Sequence, residues 1–519
     1  MPFPILVSLL FYLGTLAATQ TAHGGRFMTL RWVSLAGLMG VSLLYWLMGR
    51  IPRRDSLDNH GAPSMVSVYL LATLASVAMA ENHMYSGLRW LTHAMLIVTF
   101  VILLRGTFHS RSANQVMWIL KGITLLLLVV SFFMPAPRTV YDNPYFRGAM
   151  GDSNSLGHVA MLCALLYFHG GIVPSKTQWR LLQFGIGVGA TGILIFTWAR
   201  SSMVAFLVGL VLLNYFYGLT RSFLAKSLAL LLVCFLLASP MIQAGILDFV
   251  AKGRGGNEQE QPSKVLAVIK GDIFKKGPSF ETVVETRTHL WSEAWEGFIQ
   301  KPLLGWGFGA NKDIEQEWSI LPTSAGLVRD VTNDLLLTLE GSGLIGCLAY
   351  LAMMISIFKQ SLNLRQIIRI RRNPNEKLPM GEKPRPVTDR KEKGTSKRFG
   401  ASFSSPLEGK NPEVIHAVTR DHQQAIFYIL SVSLFALFMT DGSAFSAGSL
   451  ISAIFWICAG AAGALRAEAV VAERLSNRVE DRGLMTDDRG KRKRISPSGL
   501  KERPSASRSA SLEERAKGA

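Results

Sequence analysis

The sequence predicts an all-α polytopic membrane protein with about twelve transmembrane helices and one large extracytoplasmic loop domain between spans nine and ten. Three observations predict it. Hydrophobic residues make up 49% of the 519-residue chain and charged residues only 18%, against about 25% charged in ordinary soluble domains. Apolar runs long enough to cross a bilayer core of about 30 Å recur along most of the chain. Basic residues collect in every second connection between those runs. A run of that length crosses lipid only as an α-helix, because each backbone amide must find its partner within the segment.

Taken in order, the predicted spans are 4–20, 29–49, 63–80, 90–106, 116–134, 154–173, 181–199, 202–219, 226–246, 331–358, 425–441 and 445–465. The first, in MPFPILVSLLFYLGTLAAT, lacks a basic leading region and reads as an anchor rather than a cleaved signal. The basic connections carry Arg50, Arg53 and Arg54, then Arg105 and Arg111, then Lys176 and Arg180, then Arg221 and Lys226. The longest, 359–424, carries Arg365, Arg369, Arg371, Arg372, Lys391, Lys393, Lys397 and Arg398. The positive-inside rule puts all of these in the cytoplasm, together with both termini. The organisation expected is therefore spans one to nine over 1–246, an extracytoplasmic domain over 247–330, and span ten over 331–358. A basic cytoplasmic loop follows over 359–424, then spans eleven and twelve over 425–465, then a disordered basic tail over 466–519.

The net charge of +19 suits this topology and contact with anionic lipid better than nucleic acid. KRKR at 491–494 reads as a solvated basic tail beside a membrane. The four cysteines, Cys163, Cys234, Cys347 and Cys458, sit inside apolar runs without metal-ligand spacing and read as packing residues. In the expected outer domain, Leu290, Trp291, Ala294, Trp295 and Phe298 fall at helical spacing. Lys301-Pro302 should end that helix, and GWGFG should form a flexible turn. Trp291 and Trp295 fit a sugar-stacking platform, the packing of the domain, or the lipid interface.

Three arginines fall where positive-inside bias should deplete them. Arg147 lies in YFRGAMGDSNSLG, Arg200 in TWARSSMVAFLVGL and Arg287 in ETRTHLW. An arginine at a membrane boundary is costly unless it finds a partner or a ligand, and a guanidinium matches phosphate oxygens in bidentate fashion. Each could instead pair with a local carboxylate or snorkel to headgroups. Asn154 or Ser153 can cap span six, leaving its N-terminus to face either water or an anion. In TNDLLLTLEGSGLIG, Gly341, Gly343 and Gly346 suit close helix packing. Glu340 in the same stretch is a candidate partner for an arginine.

Four stretches together carry a resemblance: FRGAMGDSNSLG, TWARSSMVAFLVGL, RTHLWSEAWEGFIQKPLLGWGFG and TNDLLLTLEGSGLIG. In that order, over about 140–350, they resemble the motifs of the O-antigen ligase and O-antigen polymerase superfamily of bacterial envelope proteins. The resemblance implies a metal-independent glycosyltransferase of the bacterial inner membrane with no cofactor. Its donor would be an undecaprenyl-diphosphate-linked glycan, its acceptor a glycan or a lipid, and its other partners membrane lipids, with no nucleic acid. Arg200 and Arg287 match the family's functional arginines; Arg147, Asn154, Asn333 and Thr332 are the expected substrate-binding residues. The family's ligases place a histidine before the Asn of the last motif, where this chain has Thr332. Threonine is a poor general base. Asp330 is the first substitute, ahead of Asp334, His289 and His158. Two other classes stay open: a small-anion transporter, which should show buried ionisable groups or discontinuous helices, and a non-catalytic component of a polysaccharide assembly system.

Overall fold

The computed structural model describes residues 1–19, 28–51, 61–133, 149–150, 153–173, 177–197, 199–217, 291–310, 333–361, 412–441 and 449–483. The chain divides into two compact units, Met1–Arg466 and Ala467–Ala519. The helices are α1 (Phe3–Thr19), α2 (Met28–Leu47), α3 (Gly61–Met79), α4 (His83–Ile97), α5 (Ser110–Phe133), α6 (Ser153–Ile172), α7 (Thr177–Phe196) and α8 (Arg200–Tyr217). After them come a short helix α9 over 291–300, then α10 (Asp334–Ser361), α11 (Pro412–Asp441) and α12 (Leu450–Gly483). Nine of the described helices are long and apolar enough to span a membrane, and Phe3–Thr19 and Pro63–Met79 are shorter apolar helices. Eleven of the twelve predicted spans are thus helical, and 226–246 lies outside the described residues. The protein is all-α and polytopic.

Two boundaries differ from the sequence reading. The helix of span eleven begins at Pro412, ahead of its apolar run. That of span twelve continues to Gly483, past residue 466 where disorder is expected. The turns added to span twelve are rich in Ala, Glu and Arg, which favour helix without needing to be apolar.

α6 and the first half of α12, Leu450–Leu465, are enclosed along most of their length. Both stretches are mainly apolar or small-residue on every side, as a central helix must be. α4 does not end as an α-helix: Val98–Leu103 is π-helical and Leu104–Thr107 is a 3₁₀ turn. α12 crosses this segment at Gly460, where a Cβ would lie 2.4 Å from the Phe100 carbonyl oxygen. Lys121, buried in the middle of α5, donates to Gln183 Oε1 at 2.7 Å and faces the Tyr167 ring at 5.2 Å. A cation is tolerated at that depth because partners replace its water. The three described cysteines are buried and unpaired, as packing residues should be.

The decisive departure from regular helix is in α10. Gly343 has φ 64° and ψ −169°, a conformation essentially confined to glycine. The helix therefore breaks there, and its i→i−4 ladder is interrupted. The segment that follows α9 supplies replacements. The amides of Trp306 and Gly307 donate to the carbonyls of Glu340 (3.1 Å) and Gly341 (2.7 Å). The amides of Leu344 and Ile345 donate to the carbonyls of Pro302 (2.8 Å) and Leu303 (3.3 Å). Two carbonyls before the break and two amides after it are satisfied in this way. GWGFG is therefore not a flexible turn: Gly305–Ala310 is buried and hydrogen-bonded into a helix. Nor do Gly341 and Gly343 serve helix–helix packing, because it is this loop that approaches them.

Replacing Gly343 by alanine should force its Cβ to 2.3 Å from the Leu303 carbonyl oxygen. Destabilisation of at least about 1–3 kcal/mol is expected, from the disallowed backbone alone. Gly189→Ala, where a Cβ meets nothing within 4 Å, serves as the control. Thermal unfolding of the two detergent-solubilised variants checks this: Gly343→Ala should fall well below the parent and Gly189→Ala should match it.

Candidate functional site

Helices α6 and α8 run parallel. His169 Nε2 lies 2.9 Å from the Tyr217 hydroxyl, joining the C-terminal ends of α6 and α8. The Tyr428 ring of α11 touches Phe216 and Phe358, joining the C-terminal ends of α8 and α10. The N-terminal ends of α6 and α8, with Asn154 and Arg200, share the opposite end. The part of α10 before Gly343, which Asn333 opens, folds back at the break, so that Asp334 comes near Tyr350 of the later part. Helix N-termini such as these present backbone N–H groups and partial positive charge to whatever binds there.

The first two of these termini meet directly. A Cβ on Gly157 would lie 2.3 Å from Ala199 Cβ and 2.9 Å from Thr197 Oγ1, so only glycine lets α6 settle against the α7–α8 turn. That turn is as short as its sequence suggests: Met203 N–H donates to the Ala199 carbonyl at 3.0 Å, closing the first turn of α8. Arg200 is its first residue and is exposed; Asn154, in the first turn of α6, is exposed as well. Among the described residues no carboxylate pairs with the Arg200 guanidinium.

Asn333 is an N-cap. Its Oδ1 accepts the amides of Leu335 (2.9 Å) and Leu336 (3.2 Å), two of the donors a helix start leaves unpaired. Asp334 follows in the first turn, where a negative charge meets the helix dipole favourably. Its carboxyl is buried, close enough to Tyr69 and Tyr350 for them to feel its charge. Tyr69 in turn lies 3.3 Å from His93 Nε2, and His93 packs on Phe308 at 5.3 Å and Trp456 at 5.9 Å. α4 also holds the loop itself: Ser86 Oγ donates to the Phe308 carbonyl and Arg89 Nη1 to that of Gly309. Sequence reasoning missed Ser86, Arg89 and His93. Their signal was only three polar residues near the start of an otherwise apolar span.

Among the candidates named from sequence, Arg147, Arg287, Asp330, Thr332 and His289 lie outside the described residues. His158 is buried one turn into α6, next to Gly157. Glu340 is buried, with Oε1 2.7 Å from where a Cβ on Gly297 would stand. Among the described residues no group of three or more His, Cys, Asp or Glu side chains converges as a metal-holding set.

The helix start with the exposed Arg200, the capped Asn333-Asp334 pair and the Pro-Leu-Leu-Gly loop bonded into α10 fall within a stretch that matches a known family. A family model described as O-antigen ligase matches residues 185–351. Those residues are O-antigen ligase-like. The matched stretch holds Arg200, Arg287, Asp330 and Asn333, and also the 302–307 loop and the break it fills. Arg147 and Asn154 precede it. No curated protein matches the chain. The O-antigen ligase-like segment starts within α7 and ends within α10, so α6, against which its arginine turn packs, is supplied from outside it.

The capping geometry of Asn333 separates a structural role from a substrate-binding one. Asn333→Ala should cost about 1 kcal/mol through loss of the cap, and Asn333→Ser should restore most of that. Thermal stability and glycan-transfer activity measured on both variants check it: a residue that only caps recovers both with serine, whereas one that also holds substrate recovers stability alone.

Proposed function

We propose that the protein is a membrane glycosyltransferase that transfers or polymerises an undecaprenyl-diphosphate-linked glycan on the outer face of the cytoplasmic membrane. The observation that carries this reading is Arg200: an exposed guanidinium, unpaired among the described residues, where the N-termini of α6 and α8 meet inside the O-antigen ligase-like stretch. An acceptor hydroxyl attacks the anomeric carbon of the donor, the bond from that carbon to the diphosphate oxygen breaks, and the hydroxyl proton passes to a base. The leaving diphosphate gains charge as it departs. Arginines and helix N-termini held in place beforehand stabilise that charge without reorganising. The leaving group is already activated, so neither a nucleotide nor a metal ion is needed in this scheme. Arg200 and Arg287 take the catalytic roles and Asp330 that of the base, in place of the histidine missing at Thr332. Arg147, Asn154, Asn333 and Thr332 contribute to substrate binding. Both termini lie in the cytoplasm on this reading, with the basic connections.

Two observations favour the transporter alternative: α10 is discontinuous, as transporter helices often are, and Lys121, Asp334 and Glu340 are buried ionisable groups. In transporters, the polar groups freed at such a break bind the cargo. Here four of those groups are hydrogen-bonded to the 302–307 loop instead.

Arg200→Ala and Arg287→Ala should each lower glycan transfer by at least about 10²-fold, the usual loss when one charge-stabilising donor is removed, while membrane insertion is kept. The measurement is reconstitution with a labelled undecaprenyl-diphosphate glycan and identification of what the glycan becomes attached to. Normal product from both variants would overturn the reading. Asp330→Asn should be similarly impaired; full activity there would remove Asp330 as base and leave the rest intact.

A further inference from the structure

α9 has three different sides. Ala294 is buried beside Leu336 and Leu337 of α10, and Gly297 is buried against Glu340. A second side, Ser292, Glu296 and Gln300, is polar and exposed. The third carries Trp291, Trp295 and Ile299, which are 37%, 50% and 58% exposed, and the row is prolonged past the helix by Leu303 at 62%. These four recur every fourth residue, so they form one stripe along the helix. Large apolar residues in an unbroken exposed row are not what a water-surrounded loop presents.

The position of the stripe says what covers it. The loop that ends α9 is hydrogen-bonded into α10 at the Gly343 break. The helix that continues after the break, to Lys359, belongs to a stretch that is long and apolar enough to span a membrane, so the 302–307 backbone is joined to a membrane-spanning helix. Non-helical backbone beside hydrocarbon needs its polar groups satisfied by protein, as the four groups bonded here are. Leu303 adjoins Ile345, whose amide its own carbonyl accepts, and the exposed Leu344, Ile345, Leu348 and Ile355 carry the apolar surface on down α10. The stripe of α9 is thus continuous with a lipid-facing helix surface.

We propose that 291–310 is a membrane-seated element, with α9 lying in the lipid interface and the Trp291–Trp295–Ile299–Leu303 stripe covered by the acyl chains and headgroups of the bilayer. The packed side fixes α9 to α10, the polar side meets water, and the apolar side meets lipid. Tryptophan is the residue type best suited to that boundary. The two tryptophans are then anchors and not a sugar platform. Residues 291–310 are then held at a set depth instead of hanging free in solution. This inference does not depend on which reaction the protein performs.

The test uses the full chain, with its four cysteines replaced by alanine, in phospholipid vesicles. Single cysteines are introduced along α9 and carry a nitroxide whose collisions with oxygen, enriched in lipid, are compared with those of a water-soluble nickel complex. Trp291→Cys, Trp295→Cys, Ile299→Cys and Leu303→Cys should match Leu348→Cys in favouring oxygen; Ser292→Cys, Glu296→Cys and Gln300→Cys should favour nickel. Without detergent, a membrane-impermeant maleimide should modify Ile299→Cys at least about tenfold more slowly than Glu296→Cys. This second measurement remains informative if a bulky label disturbs folding. Equal nickel access at 295, 296 and 299, with equal labelling rates at 296 and 299, would overturn the proposal.

Discussion

A four-bond exchange between the 302–307 loop and the broken helix α10 is the constraint on which the rest of the known-family segment depends. In hydrocarbon, an unpaired amide or carbonyl costs several kcal/mol, so a helix cannot break there for nothing. The cost is removed because the loop brings two donors and two acceptors in complementary order. Each half requires the other: without the break the loop has no partner, and without the loop the break is prohibitive. Ser86 and Arg89 of α4 hold the loop from its other side, and Trp306 Nε1 donates back to the Gly297 carbonyl at 2.8 Å. Helices α4, α9 and α10 are thereby set in one arrangement.

That arrangement bears on function through the start of α10. Asn333 and Asp334 lie about three turns from the break, on a helix segment whose far end is clamped. On the reading proposed above, this makes the segment a rigid mount, in keeping with the general advantage of charge-stabilising groups that need no rearrangement during reaction. The α6–α8 contact at Gly157 plays the corresponding part for Arg200. α11 connects the two regions, since it packs against α6 and α8 and also against α10.

Several polar side chains within the bundle find partners on another helix. Lys121 has Gln183 and the Tyr167 ring; His169 and His422 share the Tyr217 hydroxyl; His93 has Tyr69. These contacts fix the helices relative to one another where apolar packing against lipid-like neighbours discriminates poorly. Two of these sets tie α6 or α8 to α5, α7 or α11, around the enclosed helix α6.

Much of this was legible in the sequence, and for a clear reason. Span length and apolar composition are local properties imposed by the bilayer, so the helices could be read from runs of residues. The motif order between TWARSS and EGSGLIG was likewise legible, because the family signal is carried by linear sequence. What could not be read was how those motifs meet. Gly341, Gly343 and GWGFG looked like packing glycines and a flexible turn, since a glycine's neighbours in sequence do not reveal whether a φ of 64° is being used or who fills the space of the missing Cβ. Nor could the sequence show that Asn333 caps α10, with its side-chain oxygen accepting two amides. The sequence by itself determined the all-α polytopic class, the helices that the described residues show, and the residues that carry the family match. Only the tertiary structure decided that one helix is broken and mended by a distant loop, because the hydrogen bonds responsible join residues about forty positions apart.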